Sequence, residues 1–345
     1  MENVHMPYDL KQMQSLPLKA KILMTKQRIR QWYEHWDGNV YVSFSGGKDS
    51  TVLKHIVDSM YDDVPACFVN TGLEYPEIQA FVREIKAGKY DCFNSDVEIV
   101  RPEMRFDEVI KKYGFPAVSK AVAHSVDIAR RNPEGRVAKN MFVAEKAGRF
   151  AFHRWQYLID APFCVSDKCC NVMKKKPSEK YAKETGRKPI LGTLAEESAL
   201  RYASWLKHGC NAFQGKKPSS QPLSFWTEQD ILHYIKEFNV PYVSVYGEIV
   251  PKNSAENQVT VFDILDDYSE TELTTTGCDR TGCIFCMFGC HLEKEPNRFQ
   301  RLKETHPRQY EYCIGGGEMV DGKWQPSKEG LGIGFVLDYI DVKYK

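Results

Sequence analysis

The 345-residue chain predicts an α/β protein with a doubly wound parallel sheet, a helical insertion and a cysteine-rich C-terminal region. Three observations predict it. Short apolar runs alternate with amphipathic stretches of helical period through the first hundred residues, the pattern of successive β-α-β units. The first run, Val40-Tyr41-Val42-Ser43-Phe44, passes directly into Ser45-Gly46-Gly47-Lys48-Asp49-Ser50 and then into a helical stretch, the arrangement of a phosphate-binding turn. Eleven cysteines are present, six of them crowded at 169–170 and 278–290.

Taken in order, an amphipathic helix is expected over 10–36, with Ile22, Met24, Ile29, Trp32 and Tyr33 among its apolar positions. Asp37-Gly38-Asn39 stops it. A buried strand over 40–44 and a helix over 50–61 follow, then a strand over 64–69, a helix over 76–87 and a strand over 97–100. The segment 116–162 is basic and helical in composition and reads as an insertion, a lid over the sheet's ligand edge. A further strand is expected over 189–193 and a helix over 227–238 capped by Thr227. The expected division is an N-terminal helix (1–37), a nucleotide-binding α/β domain (38–250) and a cysteine-rich tail (251–345).

Hydrophobic residues make up 42% and charged residues 27%, ordinary values for a globular protein. No run of 18 or more apolar residues occurs, so no membrane span is expected. The first twenty residues lack an apolar core followed by a small-residue cleavage site, and the expected location is cytoplasmic. In a reducing compartment clustered cysteines point to metal or redox chemistry rather than disulfides. Cys67 and Cys92, in or near apolar stretches, read as small core residues, and Cys164 and Cys210 as structural. The net charge of +1 hides a block between Lys111 and Lys188 with 18 Lys/Arg against 7 Asp/Glu. Such a block suggests a polyanionic partner, nucleic acid or a highly charged nucleotide; a solvated helical surface is the alternative.

The chemistry of Ser45–Ser50 suits phosphate. Gly46 and Gly47 let the backbone turn tightly and present N–H groups to anionic oxygens. The helix N-terminus adds partial positive charge, Lys48 a full one, and Ser45 and Ser50 offer hydroxyl donors. It is not a Walker A loop, because Lys48 is followed by Asp49 and the upstream glycine is missing.

This turn resembles the PP-loop of the ATP pyrophosphatases, a Rossmann-like fold in which ATP is cleaved between its α- and β-phosphates. The resemblance implies ATP and Mg²⁺ as cofactors, with Lys48 and Asp49 as catalytic groups. Further motifs, covering about 38–290 in family order, narrow it to the phosphoadenosine phosphosulfate (PAPS) reductase family. Asn70-Thr71-Gly72, with Glu74 and Pro76, resembles that family's second-strand element, Asn70 standing where Asp is usual. Gly192-Thr193, then Glu197-Ser198 and Arg201, resemble its later nucleotide-binding element. Trp226, with Asp230 and Tyr234, resembles its tryptophan helix.

The same resemblance gives the cysteines a role. Lys168-Cys169-Cys170 looks like the Cys-Cys segment of adenylyl-sulfate reductases, and Gly282-Cys283-Ile284-Phe285-Cys286 like their terminal C-x-x-C. In the iron–sulfur members these imply that Cys169, Cys170, Cys283 and Cys286 hold a [4Fe-4S] cluster. Cys278, Cys283, Cys286 and Cys290 form a rival, local set, with Cys278 or Cys290 replacing Cys169 or Cys170; zinc or no metal is a further alternative. Cys290 is the candidate nucleophile, although neither it nor Cys313 sits in the reductases' tail context. Because the phosphate loop is intact, the chain looks most like the sulfurtransferases of DNA phosphorothioation and the iron–sulfur tRNA thiolases. That implies ATP-dependent, AMP-forming sulfur transfer to nucleic acid (DNA or tRNA), with a cysteine desulfurase or other sulfur donor as partner. Lys174, Lys175, Lys176, Arg130, Arg131 and Arg136 would contact phosphates. Reduction of adenylyl sulfate or PAPS, and a non-catalytic nucleotide- and nucleic-acid-binding regulator, are the competing readings.

Overall fold

Val40–Phe44 (β1) is apolar on both faces and almost wholly buried, as a strand covered by helices on each side must be. In the computed structural model, which describes residues 4–143, 152–252 and 271–345, it is flanked by β2 (Ala66–Val69), β3 (Val97–Val100), β4 (Lys188–Leu191), β5 (Asn211–Ala212) and β6 (Ser219–Ser220). The sheet order is β3-β2-β1-β4-β6-β5. All pairings are parallel except β5 with β6. Val42 is in register with Ala66 on one side and Ile190 on the other. The expected doubly wound parallel sheet is therefore present, with an antiparallel edge.

Helices Lys48–Asp58, Pro76–Lys86 and Glu228–Glu237 follow the expected segments to within two or three residues. The expected helix over 10–36 is instead two, Pro7–Gln14 and Leu18–His35. Pro17 is the N-cap of the second; it cannot donate to a continuous helical ladder and disfavours helical backbone at Leu16. Ile29, Trp32, Val42, Val52, Ile56, Val82, Ile190 and Trp226 form the core around the sheet.

The chain gathers into two units. The first comprises Met1–Asn70, Glu74–Val100 and Ser178–Thr281, and holds the sheet. The second comprises Thr71–Leu73, Arg101–Pro177 and Gly282–Lys345. It contains helices Phe106–Tyr113, Lys120–Arg131, Arg298–Thr305, Pro307–Ile314 and Ile333–Tyr339, with a hairpin of Glu318–Val320 and Lys323–Gln325. Phe163 is fully buried there, its ring edge-on to those of Phe115, Phe335 and Tyr339. Of the expected insertion, Lys120–Arg131 is α-helical and Ala138–Val143 and His153–Ile159 are short helical turns; 144–151 lie outside the described residues, as do 253–270 of the expected tail. No helix among the described residues is long and apolar enough to cross a membrane.

Candidate functional site

From β1 the chain winds outward through β2 and β3, and β4 then starts the other half on the opposite side of β1. Such a reversal opens a crevice at the carboxyl ends of the two central strands, where open α/β sheets take their ligands. Ser45–Ser50 leaves β1 there and Gly192-Thr193 leaves β4, and both line a cleft of about 530 Å³. Gly46 turns with φ 73°, and a Cβ on it would stand 2.7 Å from Ile78 Cγ2. Gly192 passes so close that a Cβ would lie 3.0 Å from the Asp49 carbonyl oxygen and Ser50 Cα. Inside the turn, the hydroxyls of Ser45 and Ser50 are 2.9 Å apart, Ser45 N donates to Ser50 Oγ at 3.2 Å, and Ser50 Oγ donates to the Gly47 carbonyl at 2.9 Å. Gly46→Ala is expected to cost about 1–3 kcal/mol, read as a lower urea midpoint, because both the backbone angle and Ile78 oppose a methyl group.

The cleft is strongly charged. Lys48 is 6% exposed; its Nζ pairs with Glu228 and donates to the Asp279 carbonyl at 2.8 Å. Its backbone N–H donates to Tyr246 Oη at 3.1 Å. Arg201 and Arg280 both pair with Glu197. Three cations thus line the cleft, each held by a carboxylate. Asp49 is partly buried, and its Oδ1, itself shielded from solvent, has no hydrogen-bond partner. Burial pushes its carboxyl above the usual range, while Lys48 and Arg280 pull it down. An orphaned buried carboxylate oxygen beside a phosphate loop suits a divalent cation that would complete its coordination.

Of the sequence-predicted binding residues, Ser45, Gly47, Lys48, Asp49, Ser50, Gly192, Thr193, Glu197 and Arg201 line this cleft. Gly46 sets its floor through the turn. Ser198 does not line it; its hydroxyl caps Ala199–His208, accepting from Arg201 N at 3.3 Å, and so positions Arg201. Asn70 and Glu74 belong to the same unit but not to the cleft lining, and Thr71 and Gly72 belong to the second unit. Sequence reasoning missed Glu228, Tyr246, Asp279, Arg280 and Thr281. The one available signal was the run Asp279-Arg280-Thr281, polar and compact after Cys278.

In the second unit, Cys169, Cys170, Cys283 and Cys286 line one narrow cavity with Leu73, Phe106, Pro116, Met173 and Lys174. The Ile284 N–H donates to the Leu73 carbonyl at 2.9 Å, seating the C-x-x-C turn. Cys169 Sγ donates to Cys170 Sγ at 3.9 Å. That hydrogen bond, then Lys120, Lys174 and Lys175, pulls the Cys170 thiol below its usual range and leaves Cys169 holding its proton. Burial raises Cys286. Among the described residues no three Cys, His, Asp or Glu side chains converge on one metal-ion position. A single Zn²⁺ would need every sulfur at about 2.3 Å from one point. Four thiols on one apolar cavity are a donor set that suits a Cys₄ iron–sulfur cluster.

Three expectations need correction. Cys290 is 1% exposed and absent from the cavity lining, and burial pushes its thiol up to about 12, the wrong direction for a nucleophile. Cys92 is exposed rather than core. Arg130 is spent on the carbonyls of Phe163 and Ala161, the latter at 3.1 Å, so it clamps the chain end of the insertion instead of meeting phosphate. Arg130→Ala is therefore expected to cost about 2 kcal/mol through two orphaned carbonyls, visible in the urea midpoint, with oligonucleotide affinity of the folded protein unchanged. Arg131 pairs with Asp127 on the surface, whereas Arg136, Lys174, Lys175 and Lys176 are exposed.

The phosphoadenosine phosphosulfate reductase domain matches residues 39–129 and 117–288. An uncharacterized protein of Methanocaldococcus jannaschii is 35% identical over 295 residues, 81% of this chain and 48% of that protein. The adenosine 5'-phosphosulfate reductase of Oceanobacillus iheyensis is 23% identical over 225 residues, 65% of this chain and 73% of that protein. Among solved structures, the U34-tRNA thiolase NcsA from Methanococcus maripaludis with its [4Fe-4S] cluster aligns over 65% of this chain and 66% of its own, with 16% identity and a TM-score of 0.32. The chain spans about half the length of the M. jannaschii relatives it matches. With the domain match running from the first strand of the sheet through the C-x-x-C turn, the chain belongs to the phosphoadenosine phosphosulfate reductase family.

Proposed function

We propose that the protein is an ATP-dependent, AMP-forming sulfurtransferase whose acceptor is a nucleic acid. The observation that carries this reading is the intact Ser45–Ser50 turn in a cleft with Lys48, Arg201 and Arg280. A nucleotide lacking β- and γ-phosphates would leave the N–H groups, hydroxyls and Lys48 of the intact turn without a partner phosphate, whereas a triphosphate would use them. An acceptor oxygen attacks the α-phosphorus of ATP and pyrophosphate leaves, carrying the charge that Lys48 and the arginines neutralise. A donor at the sulfide level then forms the new bond to sulfur and AMP leaves with the original oxygen. The net change is ATP plus acceptor oxygen plus hydrosulfide to AMP, pyrophosphate and thio-acceptor, with no net oxidation.

Asp49 would bind Mg²⁺ through its orphaned Oδ1, and the ion would supply charge neutralisation for the phosphates. Cys169, Cys170, Cys283 and Cys286 would hold a [4Fe-4S] cluster, which when bound offers a place for sulfide-level sulfur. Lys120, Lys174 and Lys175 favour the thiolate at Cys170, and the apolar wall of Leu73, Phe106 and Met173 keeps water from the sulfurs. Reductive sulfite release needs an accessible tail thiol. Cys290 and Cys313 are both buried, and burial raises both thiols.

The test uses the full chain purified anaerobically, with [α-³²P]ATP, Mg²⁺, sulfide and single-stranded DNA or tRNA. Acceptor-dependent AMP and pyrophosphate supports the reading. Sulfite release from adenylyl sulfate plus thioredoxin, with no AMP from ATP under any acceptor, overturns it.

A further inference from the structure

A second cavity in the same unit as the four cysteines has no role in the chemistry above. It encloses about 200 Å³, and its walls are Thr71, Leu73, Phe106, Phe285, Tyr312 and Leu331, with Arg105 and Asp107 at the rim. Leu73 and Phe106 wall both this cavity and the cysteine cavity. The Cys283-Ile284-Phe285-Cys286 turn likewise serves both: its two thiols line one space and its phenylalanine the other. Tyr312 and Leu331 come from the C-terminal segment, beyond residue 288 where the family domain ends.

The lining has the chemistry of a planar heteroaromatic ligand. The rings of Phe285 and Tyr312 stand 6.2 Å apart and tilted by 51°, and Phe106 adds a third, largely buried ring. Arg105 and Asp107 are paired at two points, Nε to Oδ1 at 3.0 Å and Nη2 to Oδ2 at 2.8 Å. The Arg105 side chain is 75% exposed, and a guanidinium plane presented there can stack on a base as an aromatic ring does. Asp107 and Thr71 supply acceptors and a hydroxyl for a base edge. The exposed Lys111, Lys112, Lys120, Lys174, Lys175 and Lys176 belong to the same stretch of basic sequence, where they suit the phosphates of a strand entering base-first. A duplex hides its base faces, so only an unstacked base can enter.

We infer that this cavity receives one unstacked nucleobase of a single-stranded nucleic acid, with Tyr312 as its stacking platform. Nucleic acid as the bound class rests on the sulfurtransferase reading, but the binding claim is tested apart from it.

The test binds fluorescein-labelled single-stranded 12-mers of RNA and DNA, a duplex of the same sequence, and a fully abasic 12-mer to the full, anaerobically purified chain, with AMP release from ATP followed alongside. A 5-iodouracil 12-mer is photocrosslinked in parallel and the adduct mapped by mass spectrometry. Expected are crosslinks on Tyr312 or Phe285, preference for single strands over duplex, and affinity about ten- to a hundredfold lower in Tyr312→Ala but near wild type in Tyr312→Phe. ATP affinity, measured by equilibrium dialysis, should be the same in all three proteins. Whether RNA or DNA binds more tightly identifies the source of the base. Crosslinks confined to other residues, or a Tyr312→Ala protein that binds single strands as wild type does, overturn the inference. A fully abasic 12-mer that binds as tightly as the unmodified strand would also overturn it while leaving the sulfurtransferase reading intact. Tyr312-dependent base binding without AMP release would leave the inference standing and remove that reading.

Discussion

Lys48→Ala is expected to lower kcat/KM for AMP formation from ATP by about 10²–10³-fold while leaving the fold in place. Lys48 sits at the start of Lys48–Asp58, nearly buried, with Nζ between Glu228 and the Asp279 carbonyl. Before ATP binds, those two oxygens satisfy the ammonium. On the proposed reading, the phosphates of ATP would compete for it, and their charge would grow at the bridging oxygen as pyrophosphate leaves. Removing the cation withdraws that stabilisation and also leaves the Glu228 carboxylate facing the phosphates unscreened. The second effect predicts that Lys48→Ala, Glu228→Gln recovers part of the lost ATP affinity, although not the rate. Steady-state AMP release and ATP dialysis on the three proteins separate the two contributions. If Lys48→Ala released AMP at the wild-type rate, Lys48 would have no place in the chemistry.

The other large effect concerns the cysteines. Cys283→Ser, Cys286→Ser and Cys170→Ser are each expected to reduce reconstituted iron from about four per chain to near background, with loss of the broad band near ~400 nm. Cys290→Ser is expected to keep the band. The contrast follows from position: the first three thiols line the shared cavity, whereas Cys290 is buried away from its lining. Thio-acceptor formation should fall with the band, while AMP release, which depends on the first unit, should survive in Cys283→Ser. Iron content, absorbance and product analysis on each variant check this. A band that survived Cys170→Ser and vanished in Cys290→Ser would move the cluster to the local set of cysteines.

The parts legible in the sequence are those encoded by contiguous residues. Alternating apolar runs announced the parallel sheet, because period and burial are local properties of a strand. The Ser-Gly-Gly-Lys-Asp-Ser run announced the turn from strand to helix at the cleft, because its glycines, serines and lysine all fall within six residues. Thr227 announced its helix start: its hydroxyl accepts the Asp230 N–H at 3.3 Å, and its N–H donates to the Asp230 carboxylate at 2.7 Å. Pro17 was as visible as these, yet the apolar period across it argued for one helix, and the missing N–H prevailed.

What the sequence could not show is how distant segments share one place. Glu228, Tyr246 and Arg280 reach a turn at residues 45–50 only because β4 lies beside β1 and the chain after it returns to the same sheet edge. Arg130 has the composition of a nucleic-acid contact, and only its two carbonyl partners reveal a clamp. Spacing left two cysteine sets open, since C-x-x-C completes equally well in either direction along the chain. Folding brings Cys169 and Cys170 to the cavity lined by Cys283 and Cys286, and buries Cys290 away from it. The sequence by itself thus determined the family, the sheet and the phosphate turn, which are properties of neighbours in the chain. The tertiary structure decided which charges meet at that turn and which thiols share a cavity, because those are properties of neighbours in space.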